Sequence, residues 1–171
     1  PEASASGSFT DPIHVLVLGI DKRPQYEFQD DRNGSYLTDV VMVASIDPIT
    51  KKTTLLSFPR DMLIKITRDD NSSFQGRINR SYGIGVSDGG GRSAGIDQVK
   101  RDLKQNFGIE INYSVVIDFK GVEGLVDAVG GVTVDIPEEL AIYDWYYSDD
   151  DENARYVSFP AGIQELDGYH A

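Results

Sequence analysis

The first strong pattern along the chain begins at Ile13. The segment Ile13–Ile20 (IHVLVLGI) is short, rich in β-branched residues and apolar at both alternating sets of positions. That is the signature of a strand buried on both faces of a sheet. Asp39–Asp47 (DVVMVASID) repeats it, and Asp47-Pro48-Ile49-Thr50 supplies turn chemistry ahead of Lys52–Phe58 (KTTLLSF). Val40–Phe58 therefore predicts two antiparallel strands, the second ended by Pro59. Met62–Ile66 (MLIKI) predicts a further short strand.

From Ile96 the period changes. Ile96, Val99, Leu103 and Phe107 recur at helical spacing, with Lys100, Arg101, Asp102, Lys104 and Gln105 between them, and Gly108 follows. This predicts an amphipathic helix with a glycine stop, its charged positions facing water. Tyr113–Asp118 (YSVVID) predicts the next strand. Phe119, Val122, Leu125, Val126 and Val129 form a second helical face closed by Gly130-Gly131, and Val132–Ile136 (VTVDI) returns to a strand before Pro137. The order β, ββ, α, β, α, β predicts an α/β domain with a mixed sheet and helices packed on its faces. Two stretches carry no such period. Asn71–Gly91 is polar and glycine-rich and reads as a long functional or mobile loop. Asp144–Glu152, dense in acids and aromatics, reads as a solvated surface loop.

Composition narrows the function. The 171 residues hold 16 Lys+Arg against 28 Asp+Glu, a net charge of −12. The length fits one domain, here residues 11–171 behind a linker-like, Ser/Ala-rich stretch at 1–10. So acidic a chain with no Lys/Arg stripe does not suit nucleic acid, whose binding rests on counterion release by clustered cations. No apolar run approaches the ~20 residues of a membrane-spanning helix. No cysteine is present, which removes disulfides, thiolate metal sites and a thiol nucleophile. The histidines are His14 and His170. His14, inside an apolar run, reads as a packed strand residue.

Candidate chemistry gathers at strand ends. Asp21 directly follows the first strand, and ligands of open α/β sheets collect beyond the carboxyl ends of strands. Asp39 begins the second strand. If the two strands are antiparallel neighbours, both carboxylates converge at one sheet edge, a pair of hard oxygen donors suited to Mg²⁺. The plainer reading is that Asp21 opens a turn and Asp39 caps a strand end. Arg60, in Ser57-Phe58-Pro59-Arg60-Asp61, follows a strand on a proline-stiffened chain and offers a guanidinium fork matched to phosphate. Its plainer reading is a surface turn with Asp61. Arg77 and Arg80 lie beside the glycine-rich stretch, which contains no GxxxxGK[ST] loop. In so acidic a protein, three arginines and a divalent cation would make one place attractive to an anion.

Read in order, these segments resemble the LytR-CpsA-Psr family of cell-envelope proteins. The resemblance rests on VLVLGID (Val15–Asp21), LTDVVMVASIDPITKKTTLLSFPRD (Leu37–Asp61), RINRSYGIG (Arg77–Gly85), IDFKGVEGLVDAVGGVTVDIPEEL (Ile117–Leu140) and FPAGIQELDGYHA (Phe159–Ala171). It implies a three-layer α/β/α sandwich around a mixed sheet. It also implies an extracytoplasmic location at the outer face of the membrane, with an N-terminal transmembrane anchor outside this chain. The implied activity is transfer of a glycopolymer from a polyprenyl-pyrophosphate carrier to peptidoglycan, with Mg²⁺ as cofactor and pyrophosphate hydrolysis as a side activity. Carried over by position, Asp21 and Asp39 match the Mg²⁺-associated aspartates, Arg60 the pyrophosphate-binding arginine, and Arg77 a basic position near the phosphates. Either aspartate could accept the proton of the acceptor hydroxyl. The rival reading is a non-catalytic module that captures polyprenyl phosphates or scaffolds wall enzymes. Departures from the family pattern are Leu37 in place of a frequent arginine, Arg80 and Ser81 in place of small alanines, and an end at Ala171 where the family continues into a further arginine-bearing helix, so the domain is expected to be truncated.

Overall fold

The structure, a computed structural model, describes residues 11–20, 37–138, 143–146 and 155–170, with 143–146 and 155–158 described through their backbone alone. They fall into two compact units that meet in sequence at Ile117/Asp118.

The first unit is built on four strands. β1 (Ile13–Ile20) pairs antiparallel with β2 (Thr38–Ile46), and β2 pairs antiparallel with β3 (Thr53–Phe58). The β2–β3 connection is fixed by Asp47, whose carboxylate accepts from the Ile49 and Thr50 amides (2.8 and 3.1 Å) and the Thr50 hydroxyl (2.7 Å). An aspartate that bonds backbone two and three residues ahead is the mechanism behind its turn preference. β4 (Leu63–Thr67) and β5 (Ser73–Arg77) form a separate antiparallel ladder. A 3₁₀ turn (Ile78–Arg80), α1 (Ser81–Gly85) and a π-helical turn (Val86–Gly90) lead into α2 (Gly91–Phe107). β6 (Tyr113–Ile117) then returns parallel to β1, giving the order β3-β2-β1-β6 and the expected mixed sheet of an α/β fold.

One face of this sheet is closed. Leu16, Leu18, Ile20, Val41, Val43 and Phe58 pack with Tyr82 of α1, Val99 and Leu103 of α2, and Ile64 and Ile66 of β4. The opposite positions are apolar too, but Val40, Leu55 and Val115 are 44%, 63% and 44% exposed. Strand β1 is thus fully buried on one side and half-buried on the other, less than its continuous apolar run predicts. His14 is half-buried, its Nδ1 2.8 Å from the Glu110 carbonyl, while its backbone exchanges bonds with Asn112. It pins the turn before β6.

The stretch Asn71–Gly91 is not the loop its composition predicts. Phe74, Ile78, Tyr82 and Ile84 alternate with its polar residues and drive β5, the 3₁₀ turn and α1 against the core. Three of its glycines, Gly76, Gly85 and Gly90, serve close approach. A Cβ on Gly85 would stand 2.3 Å from the Ala94 carbonyl oxygen, so α1 and α2 meet at backbone distance. Helix α2 also starts five residues before Ile96 and ends as expected. Gly108 takes φ +71°, and the Gly108 and Ile109 amides reach the Lys104 and Leu103 carbonyls (2.9 and 3.4 Å).

The second unit holds α3 (Phe119–Ala128), β7 (Val132–Ile136), β8 (Tyr143–Tyr146), β9 (Arg155–Ser158) and β10 (Gly162–Leu166). Asp118 caps α3 by accepting from the Gly121 amide at 2.9 Å. β7 pairs antiparallel with β10, and β8 with β9. Residues 144–146 of the stretch read as a loop, Asp144–Glu152, are therefore strand; 147–152 lie outside the described residues.

Candidate functional site

The register of β1 against β2 sets the site. Gly19 pairs with Val40, the ladder slips, and Ile20 pairs with Thr38. The carboxyl end of β1 thus lies beside the start of β2, the antiparallel arrangement that convergence of Asp21 and Asp39 requires. Asp21 itself lies outside the described residues, and this edge is as far as they carry that expectation.

Asp39 and Arg60 meet directly. Arg60 Nη1 donates to Asp39 Oδ1 at 2.7 Å, with side chains 59% and 47% exposed. Arg60 Nε lies 3.7 Å from Asp61 Oδ2, and Arg77 Nη1 donates to Asp61 Oδ1 at 3.3 Å. The result is a row of alternating charge, Asp39–Arg60–Asp61–Arg77, open to solvent. The hydrogen bond to Asp39, then the charges of Asp39 and Asp61, raise Arg60 further above its already high value, so it is a permanent cation. Arg80 is exposed on the 3₁₀ turn and makes no ion pair with a described residue. Arg60 and Arg77 thus lie among the carboxylates of Asp39 and Asp61, in a protein of net charge −12.

Backbone bonds hold the row in place. The Met62 amide closes a turn onto the Pro59 carbonyl (2.9 Å), and the Ile78 amide reaches Met62 (2.9 Å). The Asn79 amide donates to the Arg60 carbonyl (3.2 Å), and the buried Thr38 hydroxyl donates to the Asn79 carbonyl (3.4 Å). Asn79 therefore stitches Arg60 to the residue that precedes Asp39. Its own side chain is nearly buried, and its Oδ1 has no partner among the described residues.

A second polar cluster lies beneath. Asp102 of α2 is fully buried and accepts from Ser81 Oγ (2.6 Å), Gln98 Nε2 (3.0 Å) and the Thr67 amide (3.3 Å). Burial pushes its carboxyl above the ordinary aspartate value, and the bonds from Gln98, Ser81 and Thr67 oppose that rise. The reading of Asp102 as a water-facing helix charge is thus corrected. It lies three residues beyond Val99 and one before Leu103, and that spacing puts it on the edge of the buried stripe.

In the second unit a cavity of about 430 Å³ is lined by Asp127, Gly131, Thr133, Glu165, Asp167 and His170 among others. Two of its acids are engaged in hydrogen bonds of the fold itself. Asp127 accepts from the Gly168 amide (2.8 Å), and Asp167 pairs with His170 (2.6 Å), which lowers the Asp167 pKa. Among the described residues no three Asp, Glu or His side chains gather as a metal cage.

The profile of the LytR_cpsA_psr family matches residues 2–171, nearly the whole chain. The protein belongs to the LytR_cpsA_psr family. Among its family relatives is TagV of Bacillus subtilis (strain 168), a polyisoprenyl-teichoic acid–peptidoglycan teichoic acid transferase, 28% identical over 160 residues that make up 94% of this chain and 36% of TagV. The crystal structure of B. subtilis TagV aligns with TM-score 0.67 at 26% identity, over 94% of this chain and 54% of that one. The family protein YwtF (TagT), solved with bound octaprenyl pyrophosphate lipid, shares the fold at TM-score 0.63 and 20% identity, over 94% and 54% of the two chains. The chain spans about a third of the length of the curated relatives it matches.

Proposed function

We propose that this chain is the pyrophosphate-engaging part of a cell-wall phosphotransferase, acting outside the cytoplasmic membrane on a glycopolymer carried by polyprenyl pyrophosphate, with peptidoglycan as acceptor. The observation that carries the reading is the Arg60–Asp39 contact at 2.7 Å, flanked by Arg77. It sets an arginine fork beside a carboxylate at the sheet edge, and that is what transfer from a pyrophosphate needs. The names of TagV and of TagT with its lipid support the substrate class.

An acceptor hydroxyl attacks the glycan-bearing phosphorus, the bridging phosphorus–oxygen bond breaks, and polyprenyl phosphate leaves. The hydroxyl proton passes to a carboxylate, Asp39 or Asp21. Arg60 neutralises charge that builds on the bridging and leaving oxygens, with Arg77 and Arg80 engaging the outer phosphate oxygens. The residues suit Mg²⁺: Asp39 is half-exposed, and one of its two hard oxygens is left clear of Arg60. Asp39 together with Asp21 would hold the ion, which when bound supplies further neutralisation of the pyrophosphate. Water in place of the glycan hydroxyl gives hydrolysis as a side reaction. Among the described residues no helix is long and apolar enough to cross a membrane; membrane attachment, in this reading, comes through an N-terminal anchor and through the lipid substrate.

The test is release of polyprenyl phosphate from a short pyrophosphate lipid, with and without Mg²⁺ and a glycan acceptor, in wild type, Arg60→Ala and Asp39→Asn. Mg²⁺-dependent release that both substitutions abolish is expected. Binding of the lipid without release in wild type would overturn the transferase reading in favour of a capture module.

A further inference from the structure

A buried carboxylate in an acidic protein demands a physical reason. Asp102 is fully buried, and removing an anion from water is costly unless its oxygens are fully engaged. Here they are. Ser81 Oγ and Gln98 Nε2 share Oδ2 at 2.6 and 3.0 Å, and the Thr67 amide takes Oδ1 at 3.3 Å. Arg101 sits beside them, its guanidinium donating to the Thr67 carbonyl (3.2 Å) and Gln98 Oε1 (3.3 Å) and pairing with Asp69 (2.7 Å). One carboxylate thus ties the end of β4, the first residue of α1 and the middle of α2.

An apolar filler of the same shape would pack this space without the desolvation cost. What the carboxylate adds is direction. The Ser81–Asp102 bond is short and charge-assisted, and it fixes a buried serine at one position. Ser81 is also the closing residue of the 3₁₀ turn, its amide donating to the Ile78 carbonyl. At the turn's other face, Asn79 bonds the Arg60 carbonyl and receives the Thr38 hydroxyl. The turn that follows Arg77 and contains Arg80 is therefore clamped between the Asp39/Arg60 edge outside and Asp102 inside.

We propose that Asp102, acting through Ser81, is a positioning residue for the pyrophosphate site: it sets the 3₁₀ turn, and with it Arg77 and Arg80, against Arg60. The proposal rests on the pyrophosphate reading above and adds to it a residue that touches no substrate.

The experiment measures affinity for farnesyl pyrophosphate in wild type, Ser81→Ala, Asp102→Asn, the double variant and Arg60→Ala, together with amide hydrogen exchange over Asn79–Tyr82. Val43→Ala, a buried strand residue whose side chain makes none of the clamp's hydrogen bonds, serves as a control for lost stability. Each clamp variant is expected to weaken affinity about tenfold, with the double variant no worse than either single one, because both break the same bond. Exchange at Asn79–Tyr82 should quicken in the clamp variants by more than an equal loss of global stability produces in Val43→Ala. Wild-type affinity in both clamp variants alongside loss in Arg60→Ala would overturn the positioning role while leaving the site intact. Wild-type affinity in Arg60→Ala as well would remove the pyrophosphate reading and this proposal with it.

Discussion

Arg60 and Asp39 stand twenty-one residues apart and share a 2.7 Å charge-assisted hydrogen bond. Neither is buried, so the bond adds little to stability and its interest is chemical. Arg60→Ala removes the fork while sparing the core. Affinity for a pyrophosphate lipid should fall by about 10- to 150-fold, the range for lost hydrogen bonds to charged groups. Arg60→Lys should recover only part of it, because an ammonium cannot span two phosphate oxygens. Isothermal titration of the three proteins checks both.

Asp39→Asn keeps shape and loses charge. Turnover should drop by about a hundredfold or more, as for the loss of a group that accepts a proton or holds charge in the transition state. Thermal denaturation should show a melting temperature within about 2 °C of wild type, since the side chain is half-exposed. A large loss of stability would recast Asp39 as a structural cap.

Asp61 lies between Arg60 and Arg77 at 3.7 and 3.3 Å, with both partners exposed. Its ion pairs are of the weak surface kind, so Asp61→Asn should change unfolding free energy by less than about 0.5 kcal/mol in urea titrations.

Asp102 carries a pH signature. Its native carboxyl binds protons more tightly than the unfolded one, so the native state holds the extra proton between the two pKa values and stability contributed by this group falls as pH rises through that window. Exposed Asp47, Asp70, Glu110 and Asp167 are shifted down and act in the opposite sense, losing stability on acidification. Subtracting Asp102→Asn from wild type isolates the first effect. The difference should move in favour of wild type as urea unfolding is repeated from neutral pH towards the aspartate range.

The α1–α2 crossing makes the last prediction. Gly85→Ala places a methyl 2.3 Å from the Ala94 carbonyl oxygen and 2.7 Å from Gln98 Cβ. The helices must separate, at a cost of about 1–3 kcal/mol typical of overpacking. Gly124→Ala, where no described residue lies within 4 Å of the added carbon, is the control and should be neutral or stabilising.

What could be read in the sequence is local. Alternation and turn chemistry place β1, the β2–β3 pair and β6 within a residue or two of where they form. Gly108 stops α2 because a left-handed residue costs glycine nothing. The words around Asp39 and Arg60 indicate the family, since they lie on regular elements whose order is linear. What the sequence hid is every choice made between distant segments. The glycines of Asn71–Gly91 look like slack, yet at Gly85 they are the contact surface of two helices. Asp102 looks like a solvated helix charge, and becomes buried because β4 and α1 bring the Thr67 amide and the Ser81 hydroxyl to it from 35 and 21 residues away. Periodicity can say which side of a helix faces inward. Only the packed chain supplies the partners that let a carboxylate lie there.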